Sequence, residues 1–431
     1  MSTATTTPST LARADHLPRR MAVVVFLAFA LAYFFSALVR AITATLSPTL
    51  TTEFSLSAQD LGLLAGGYFL GFSLTQLPLG RWLDRHGPKK VILAFLTFAV
   101  LGCLAFSWAD SFHGLLAARV LCGMGVSACL MAPLTGYRRW FDANTQLRTN
   151  SWMLMTGSLG MLAATLPVQW LMPIWGWRTL FVMLGVMIAI AMLLIALLVP
   201  VWQKATPTAD TPKAPADDDG SYREIWRSAY FWRMTPIGFF SYGGMVAIQT
   251  LWAGPWMTQV AGWTASEAAS GLFLINLAML VTFWLWGLIT PGLARRGIAV
   301  ERLIAWGLPW SFVVIGALVW FGSAIGSGAA VGMALLCVSS TFVALAQPAV
   351  GMAFPSHLAG RALSAYNLVI FAGIFVVQWG IGLLVDAGRG LGLANVQAYQ
   401  VALACFGLTS VLSWMFFMLK NPSSADNRTP S

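Results

Sequence analysis

The sequence predicts an all-α membrane protein in which twelve membrane-spanning helices form two pseudo-symmetric bundles of six. Hydrophobic residues occupy 58% of the 431 positions and charged residues only 9%, whereas a soluble chain carries about 25% charged residues. Twelve apolar runs are long enough to cross ~30 Å of hydrocarbon as helices. The lysines and arginines concentrate in alternate connections between these runs.

The apolar runs fall into two groups of six on either side of a long polar stretch. The first group covers residues 21–46, 61–80, 90–108, 113–136, 150–173 and 178–200, and the second covers 232–258, 266–291, 303–321, 326–352, 363–385 and 398–419. Backbone groups in lipid must bond within their own segment, so we expect each run to be a helix.

The predicted organisation has five parts. These are an N-terminal tail at 1–20, a first bundle at 21–200, a linker at 201–230, a second bundle at 231–420 and a C-terminal tail at 421–431. The linker is rich in Pro, Ala and Asp, which is typical of flexible connections. A short interfacial helix is expected from Glu224 to Phe231. The first apolar run is too long for a signal-peptide core, so we expect it to remain as a helix.

The distribution of positive charge predicts the orientation of the chain. Of the 25 lysines and arginines, 21 lie in tails and connections on one side, and only Arg178 and Arg389 lie on the other. Positively charged loops remain cytoplasmic, so we expect both termini in the cytoplasm of a multi-pass protein of the cell inner membrane. The net charge of +10 therefore reflects these loops and a lipid environment, with no nucleic acid as a partner.

The two halves resemble an internal repeat. A proline, Pro48 or Pro255, precedes a Ser/Thr-x-x-Asp/Glu box, at 57–60 or 264–267, with the same spacing in both halves. We expect each proline to end one helix and each box to cap the start of the next. Weak internal symmetry of this kind is typical of transporters built from two related halves.

The most distinctive motif, GRWLDRHGPKK, runs from Gly80 to Lys90 between the second and third apolar runs. It closely resembles the signature loop of the major facilitator superfamily, G-x-x-x-D-R-x-G-R-K. The resemblance implies the major facilitator fold and a loop that latches two helices in one state of a transport cycle. The predicted residues of this switch segment are Gly80, Asp84, Arg85, Gly87, Lys89 and Lys90. The corresponding stretch of the second half has Ala294 in place of the aspartate.

Two further features relate the chain to particular branches of that superfamily. Arg119 and Gly123 in the fourth run are similar to the family's R-x-x-x-G element, which implies a part in coupling or substrate handling. The alternative is that Arg119 is a structural arginine in the bundle interior, bonded to backbone carbonyls. In the fifth run, Gly160 is followed by Met161, whereas drug exporters of the family place a Gly-Pro dipeptide there. The chain thus resembles uptake permeases of the anion–cation symporter type.

Arg40 and Arg119 are the charged residues that the sequence places within the spans. The acidic residues lie in tails, in connections or near span ends. A buried cation needs an anion, and arginine suits carboxylate or phosphate. We therefore expect an anionic small-molecule solute, an organic carboxylate, held by Arg40 with help from Arg119. Arg40 is expected in the outer half of its helix, and the alternative is that its side chain extends to the outer interface.

Neighbouring positions supply further candidate substrate contacts. Tyr33, Ser36 and Arg40 share one helix face, and Gln249 and Trp252 share another. Other polar or aromatic residues that could line a cavity are Tyr68, Gln76, Gln169, Tyr242, Asn276, Tyr366, Asn367 and Gln378.

The predicted function is transport of a small solute by alternating access, as a monomer, in the form of proton-coupled uptake or uniport. A drug/proton antiporter that exports hydrophobic compounds is the main alternative, and it requires a buried acid that the spans lack. The sequence predicts neither a metal nor a cofactor, because the five cysteines show no CxxC spacing. A membrane enzyme would need a metal or paired-carboxylate cluster in the spans.

Overall fold

The structure, a computed structural model, describes residues 17–201 and 220–419, and helices account for nearly all of them. Residues 1–16, 202–219 and 420–431 lie outside the described residues. Most of the predicted N-terminal tail (1–20), the predicted C-terminal tail (421–431) and much of the predicted linker (201–230) fall there, whereas Arg19 and Arg20 already belong to the first helix. The described end of the linker forms the helix Gly220–Arg227, which begins and ends earlier than the sequence predicts.

The first half contains six spans. Span 1 is Arg19–Phe54, and span 2 is Ala58–Leu74 extended by residues 76–86. Span 3 is 88–107, span 4 joins Phe112–Val126 to Ala128–Trp140, span 5 joins Ala143–Ala163 to residues 166–175, and span 6 is 177–198.

The second half begins with an irregular helix. Span 7 consists of Ala229–Pro236, a π-helical turn at Ile237–Tyr242, Gly243–Ala247, a second π-helical turn at Ile248–Trp252, and Ala253–Gln259. Span 8 is Ala265–Arg295, span 9 joins Val300–Gly307 to Pro309–Phe321, and span 10 joins Ala329–Ser340 through Thr341–Leu345 to Ala346–Met352. Span 11 is Ser356–Gly390 and span 12 is Asn395–Leu419.

Length and composition support the predicted number of crossings in the described residues. Eight helices are individually long and apolar enough to cross a membrane, and one of them, Val300–Met352, contains both span 9 and span 10. Spans 2, 5 and 7 complete the twelve. Large apolar side chains on the outside remain exposed, including Trp306 at 78% and Trp320 at 84%. Such a surface requires lipid around it.

Two glycines end spans where the chain reverses. Gly87 (φ 76°) separates spans 2 and 3, and Gly176 (φ 71°) separates spans 5 and 6. Both lie in the left-handed region, where a side chain would strain the backbone. Span 2 therefore stays helical as far as residue 86, beyond the end predicted at Gly80, and most of the switch segment is helix.

The internal repeat is partly confirmed. Ser57 with Asp60 and Thr264 with Glu267 form capping boxes at the starts of spans 2 and 8, as predicted. The expectation that prolines end the preceding helices is wrong, because Pro48 lies inside span 1. A membrane helix tolerates an internal proline when neighbouring groups satisfy the freed backbone atoms. The box, and not the proline, marks the boundary.

The main contacts between the described parts of the two halves involve spans 1, 2 and 5 of the first half. Span 2 packs against span 11, span 1 against span 7, and span 5 against span 8. We call the side of the bundle that carries the Gly220–Arg227 helix the linker end and the opposite side the far end. The site described below lies between these ends, at the junction of spans 1, 2, 4 and 7.

Candidate functional site

Arg40 lies near the middle of the bundle. It is 14 residues before the end of span 1 at Phe54, which is about 21 Å of helix. Its guanidinium hydrogen-bonds with Tyr68 of span 2 and interacts with Tyr33 and with Tyr242 of span 7. Arg40 is only partly buried. The structure thus places its charged group among three tyrosines.

Tyr68 lies between the two arginines of the first half. Its hydroxyl lies 3.4 Å from the Ser36 carbonyl oxygen, to which it donates, and it is also bonded to Arg40. The guanidinium of Arg119 lies over the aromatic ring of Tyr68, 5.1 Å from the ring centroid. A cation above an aromatic face is attracted to its electron density. Tyr68 therefore connects the two positive groups.

Arg119 lies deeper than Arg40. Its side chain is fully buried, and Nη1 donates to the carbonyl oxygen of Val39 at 2.8 Å. This bond ties span 4 to span 1 next to Arg40. Close packing makes the arrangement possible, because a Cβ at Gly123 would lie 1.8 Å from the Tyr68 carbonyl oxygen. Tyr68 thus separates Arg119 from the partly exposed side of the site.

Several polar atoms of the site lack a hydrogen-bond partner among the described residues. They are Arg40 Nε, Arg119 Nε and Nη2, and Ser36 Oγ. The Cys129 thiol lies beside Ser36 and interacts with Arg40. Buried donors are normally satisfied, so the site offers unused hydrogen-bond donors to a ligand.

The second-half candidates make other contacts in this conformation. Gln249 is buried and donates to Asn276 at 3.1 Å, and Trp252 donates to the Gln378 carbonyl oxygen at 3.0 Å. From span 7, Tyr242 interacts with Arg40. The sequence named Tyr68 and Tyr242 only as cavity-lining residues, since spacing within one helix cannot show which helices meet.

The switch segment lies at the linker end. Asp84 is exposed and interacts electrostatically with Arg138 of span 4 and with Arg361 of span 11. Lys89 donates to the carbonyl oxygen of Val199, at the end of span 6, at 2.7 Å. Arg85 and Lys90 are exposed. The segment thus places charges from both halves close together.

Negative charge is absent from the centre of the described bundle. No Asp or Glu side chain in residues 17–201 and 220–419 is buried, whereas Arg119 and Arg233 are. Arg233 lies in the first helix of span 7, near the linker end, and its Nε donates to the Phe417 carbonyl oxygen at 2.9 Å. Positive charge at the centre thus comes from Arg40 and Arg119.

At the far end, one carboxylate joins the halves. Asp386, near the end of span 11, accepts hydrogen bonds from the backbone N–H groups of Ala58 (3.3 Å) and Gln59 (2.6 Å) at the start of span 2. Arg389 pairs with the same carboxylate at 3.0 Å. A carboxylate is favourable at a helix N-terminus, where N–H groups are unpaired and the helix dipole is positive.

Comparison with known proteins agrees with this architecture. The family model described as Major Facilitator Superfamily matches residues 29–378. The chain belongs to the major facilitator superfamily. The resemblance of the switch segment to the superfamily's signature loop thus identified the correct family.

Several curated transporters are similar to part of this superfamily member. A hexuronate transporter of Escherichia coli (strain K12) is 27% identical over 148 residues, which is 34% of each chain. A probable L-galactonate transporter of the same strain is 26% identical over 141 residues, covering 32% of this chain and 31% of the relative. A niacin transporter of Acinetobacter baylyi is 28% identical over 155 residues, covering 36% and 35%. The chain thus matches about a third of the length of these relatives.

Solved structures share the fold over nearly the whole chain. A bacterial homologue of the human lysosomal transporter Spinster, in an inward-facing and unoccupied conformation, gives a TM-score of 0.77 at 17% identity, covering 96% of this chain and 100% of the other. A D-xylose–proton symporter gives 0.74 at 14% identity, covering 93% and 98%. These similarities concern the fold alone.

Proposed function

We propose that this chain is a secondary transporter that carries a small organic anion across the cell inner membrane by alternating access. The carboxylate of the solute binds Arg40. The observation that carries the proposal is the position of this guanidinium, which is partly exposed at mid-bundle and has an Nε without a partner among the described residues. Tyr33, Tyr68 and Tyr242 surround it.

The charge balance of the site favours an anion. A guanidinium in a low-dielectric interior is costly unless a negative group pairs with it. Since no buried carboxylate is found in the described spans, the solute is the source of that group. The planar guanidinium also matches a carboxylate geometrically.

The similar transporters support the same class of solute. Their names refer to hexuronate, L-galactonate and niacin, and each of these compounds carries a carboxyl group. In contrast, export of hydrophobic cations would require a buried acid to attract the cation, and the described spans contain none.

The proposal includes an orientation and a direction. The linker end, which carries the positively charged connections, faces the cytoplasm, and the solute moves inward through a monomer. A proton that accompanies the anion would travel with the solute, because the described centre of the bundle offers no carboxylate to carry it.

Uptake into proteoliposomes tests the proposal. The purified chain is reconstituted and presented with labelled glucuronate, galactonate and nicotinate, and with a lipophilic cation for comparison. We expect at least one anion to accumulate and Arg40→Ala to reduce its uptake at least tenfold. Arg302→Ala is the matched control, because Arg302 is exposed at the linker end. Transport of the cation alone, or wild-type anion uptake by Arg40→Ala, would overturn the proposal.

A further inference from the structure

We infer that the site returns across the membrane only when an anion occupies Arg40, so that the protein exchanges one organic anion for another. The inference rests on the proposed function above, because it concerns the coupling of the same site. It is drawn from the charges that surround Arg40 and Arg119 when no solute is present.

The groups that contact the two arginines in the described residues are phenols, thiols and a backbone carbonyl, and none of them is a carboxylate. Arg40 meets the hydroxyl of Tyr68. Arg119 meets the carbonyl oxygen of Val39 and the ring of Tyr68. Three guanidinium nitrogens have no partner at all among the described residues. Neutral dipoles satisfy part of the hydrogen bonding but leave two positive charges in the empty site.

The acidic residues of neighbouring spans are too distant and are already engaged. Glu53 is 13 residues from Arg40 along span 1, or about 20 Å, and it binds Trp177 and Arg178. Asp60 is eight residues from Tyr68 along span 2, or about 12 Å, and it belongs to the capping box of that helix. Neither carboxylate reaches the arginines without unfolding a helix end.

Alternating access passes through a state that is closed at both ends. Water then leaves the site, and the cost of an uncompensated charge rises because water no longer stabilises it. A bound carboxylate neutralises Arg40 in this state. In the empty site, no carboxylate of the described residues neutralises the arginine instead. The loaded protein thus changes conformation readily, and the empty protein does so slowly. Exchange follows, because each carboxylate that leaves is replaced by another before the return.

The test compares exchange with net uptake in vesicles that contain the full chain. Labelled glucuronate, galactonate or nicotinate is added outside. The vesicles contain either the same unlabelled compound or only zwitterionic buffer, with equal pH and with potassium and valinomycin holding the potential at zero. We expect initial uptake at least tenfold faster into the preloaded vesicles, which corresponds to a difference of about 1.4 kcal/mol between the two return barriers.

A designed counter-ion provides a second measurement. Ser36 is buried, lies one turn before Arg40 and has an unpartnered Oγ. In Ser36→Asp, the new carboxylate pairs with Arg40 at the i, i+4 spacing and neutralises the empty site. We expect the ratio of exchange to net uptake to fall towards one. The uncharged variant Ser36→Asn is the matched control for size, and its ratio should stay well above that of Ser36→Asp, because an amide cannot neutralise Arg40.

The outcomes separate the two proposals. Equal rates of exchange and net uptake by the wild type would overturn the exchange mechanism but leave anion transport intact. The same conclusion would follow if an inward proton gradient raised the rate of net uptake to the rate of exchange. If no anion is transported in either mode, the proposed function itself fails. If Ser36→Asp is inactive, the ratio of exchange to net uptake in the wild-type protein alone decides whether the exchange mechanism holds.

Discussion

Replacing Asp386 with asparagine should open the far end of the bundle. Asp386 accepts from the N–H groups of Ala58 and Gln59, and so connects span 11 of one half to the start of span 2 of the other. Asparagine has nearly the same shape but no charge, and only one of its two terminal atoms can accept. The substitution therefore weakens a contact between the halves and leaves the capping box within span 2 unchanged.

The magnitude follows from the interactions that are lost. A hydrogen bond to a charged group contributes about 1.5–3 kcal/mol, and a charge at a helix N-terminus contributes about 0.3–1 kcal/mol when it is exposed. The Asp386 side chain is 24% exposed, and asparagine keeps one acceptor. We therefore expect a loss of about 1–2 kcal/mol, which is a 5–30-fold shift towards the open far end.

Distances between spin labels at the far end measure this shift. Trp108 of the first half and Leu391 of the second are 72% and 85% exposed, so labels at these positions disturb little. Asp386→Asn should increase the population at long distance. Asp110→Asn is the control, because Asp110 pairs with Arg178 within the first half. Identical distance distributions for Asp386→Asn and the wild type would refute the idea that Asp386 holds the far end closed.

Three further predictions concern packing, the site and orientation. Gly123→Ala should lower the melting temperature in detergent by several degrees, because overpacking costs about 1–3 kcal/mol; Gly287→Ala, where a Cβ meets nothing within 4 Å, should not. Tyr68→Phe should raise the KM for the anion at least tenfold with a smaller change in kcat, because a hydrogen bond to a charge, worth about 1.5–3 kcal/mol, is lost. Tyr230→Phe loses a hydroxyl bonded to Glu301 and should leave KM unchanged. Alkaline phosphatase inserted at Gly392 should be active, because the proposed orientation places the far end in the periplasm; an inactive fusion would reverse that orientation.

The sequence was sufficient for the architecture because the bilayer constrains it strongly. Long apolar runs must be helices, and the capping boxes at Ser57 and Thr264 mark helix starts by local chemistry that the structure confirms. The ends of helices were less predictable. The role of Pro48 and the end of span 2, expected at Gly80 but found at residue 86, were predicted wrongly, because whether a helix continues depends on the neighbouring spans that satisfy its backbone.

The site was only partly predictable for a related reason. Arg40 and Arg119 stand out in the sequence as charges in apolar runs, but their depths relative to each other depend on how spans 1, 2 and 4 pack. The position of Tyr68 between them requires close contact at Gly123, and the approach of Tyr242 requires span 7 to meet span 1. Neither contact has a local signature in the sequence.

Span 2 carries glycines on two faces, and substitutions on the two faces have different consequences for evolution. A Cβ at Gly67 or Gly71 would collide with span 4 of the same half, at 2.7 and 2.0 Å, whereas one at Gly62 or Gly66 would meet span 11 of the other half, at 2.5 and 3.0 Å. Variants on the first face would strain the packing within one half and lower its stability, most of all at Gly71, where the contact is with the backbone of Val120. Variants on the second face would fold and reach the membrane with an altered balance of conformations, and thus supply variation in transport rate on which selection can act.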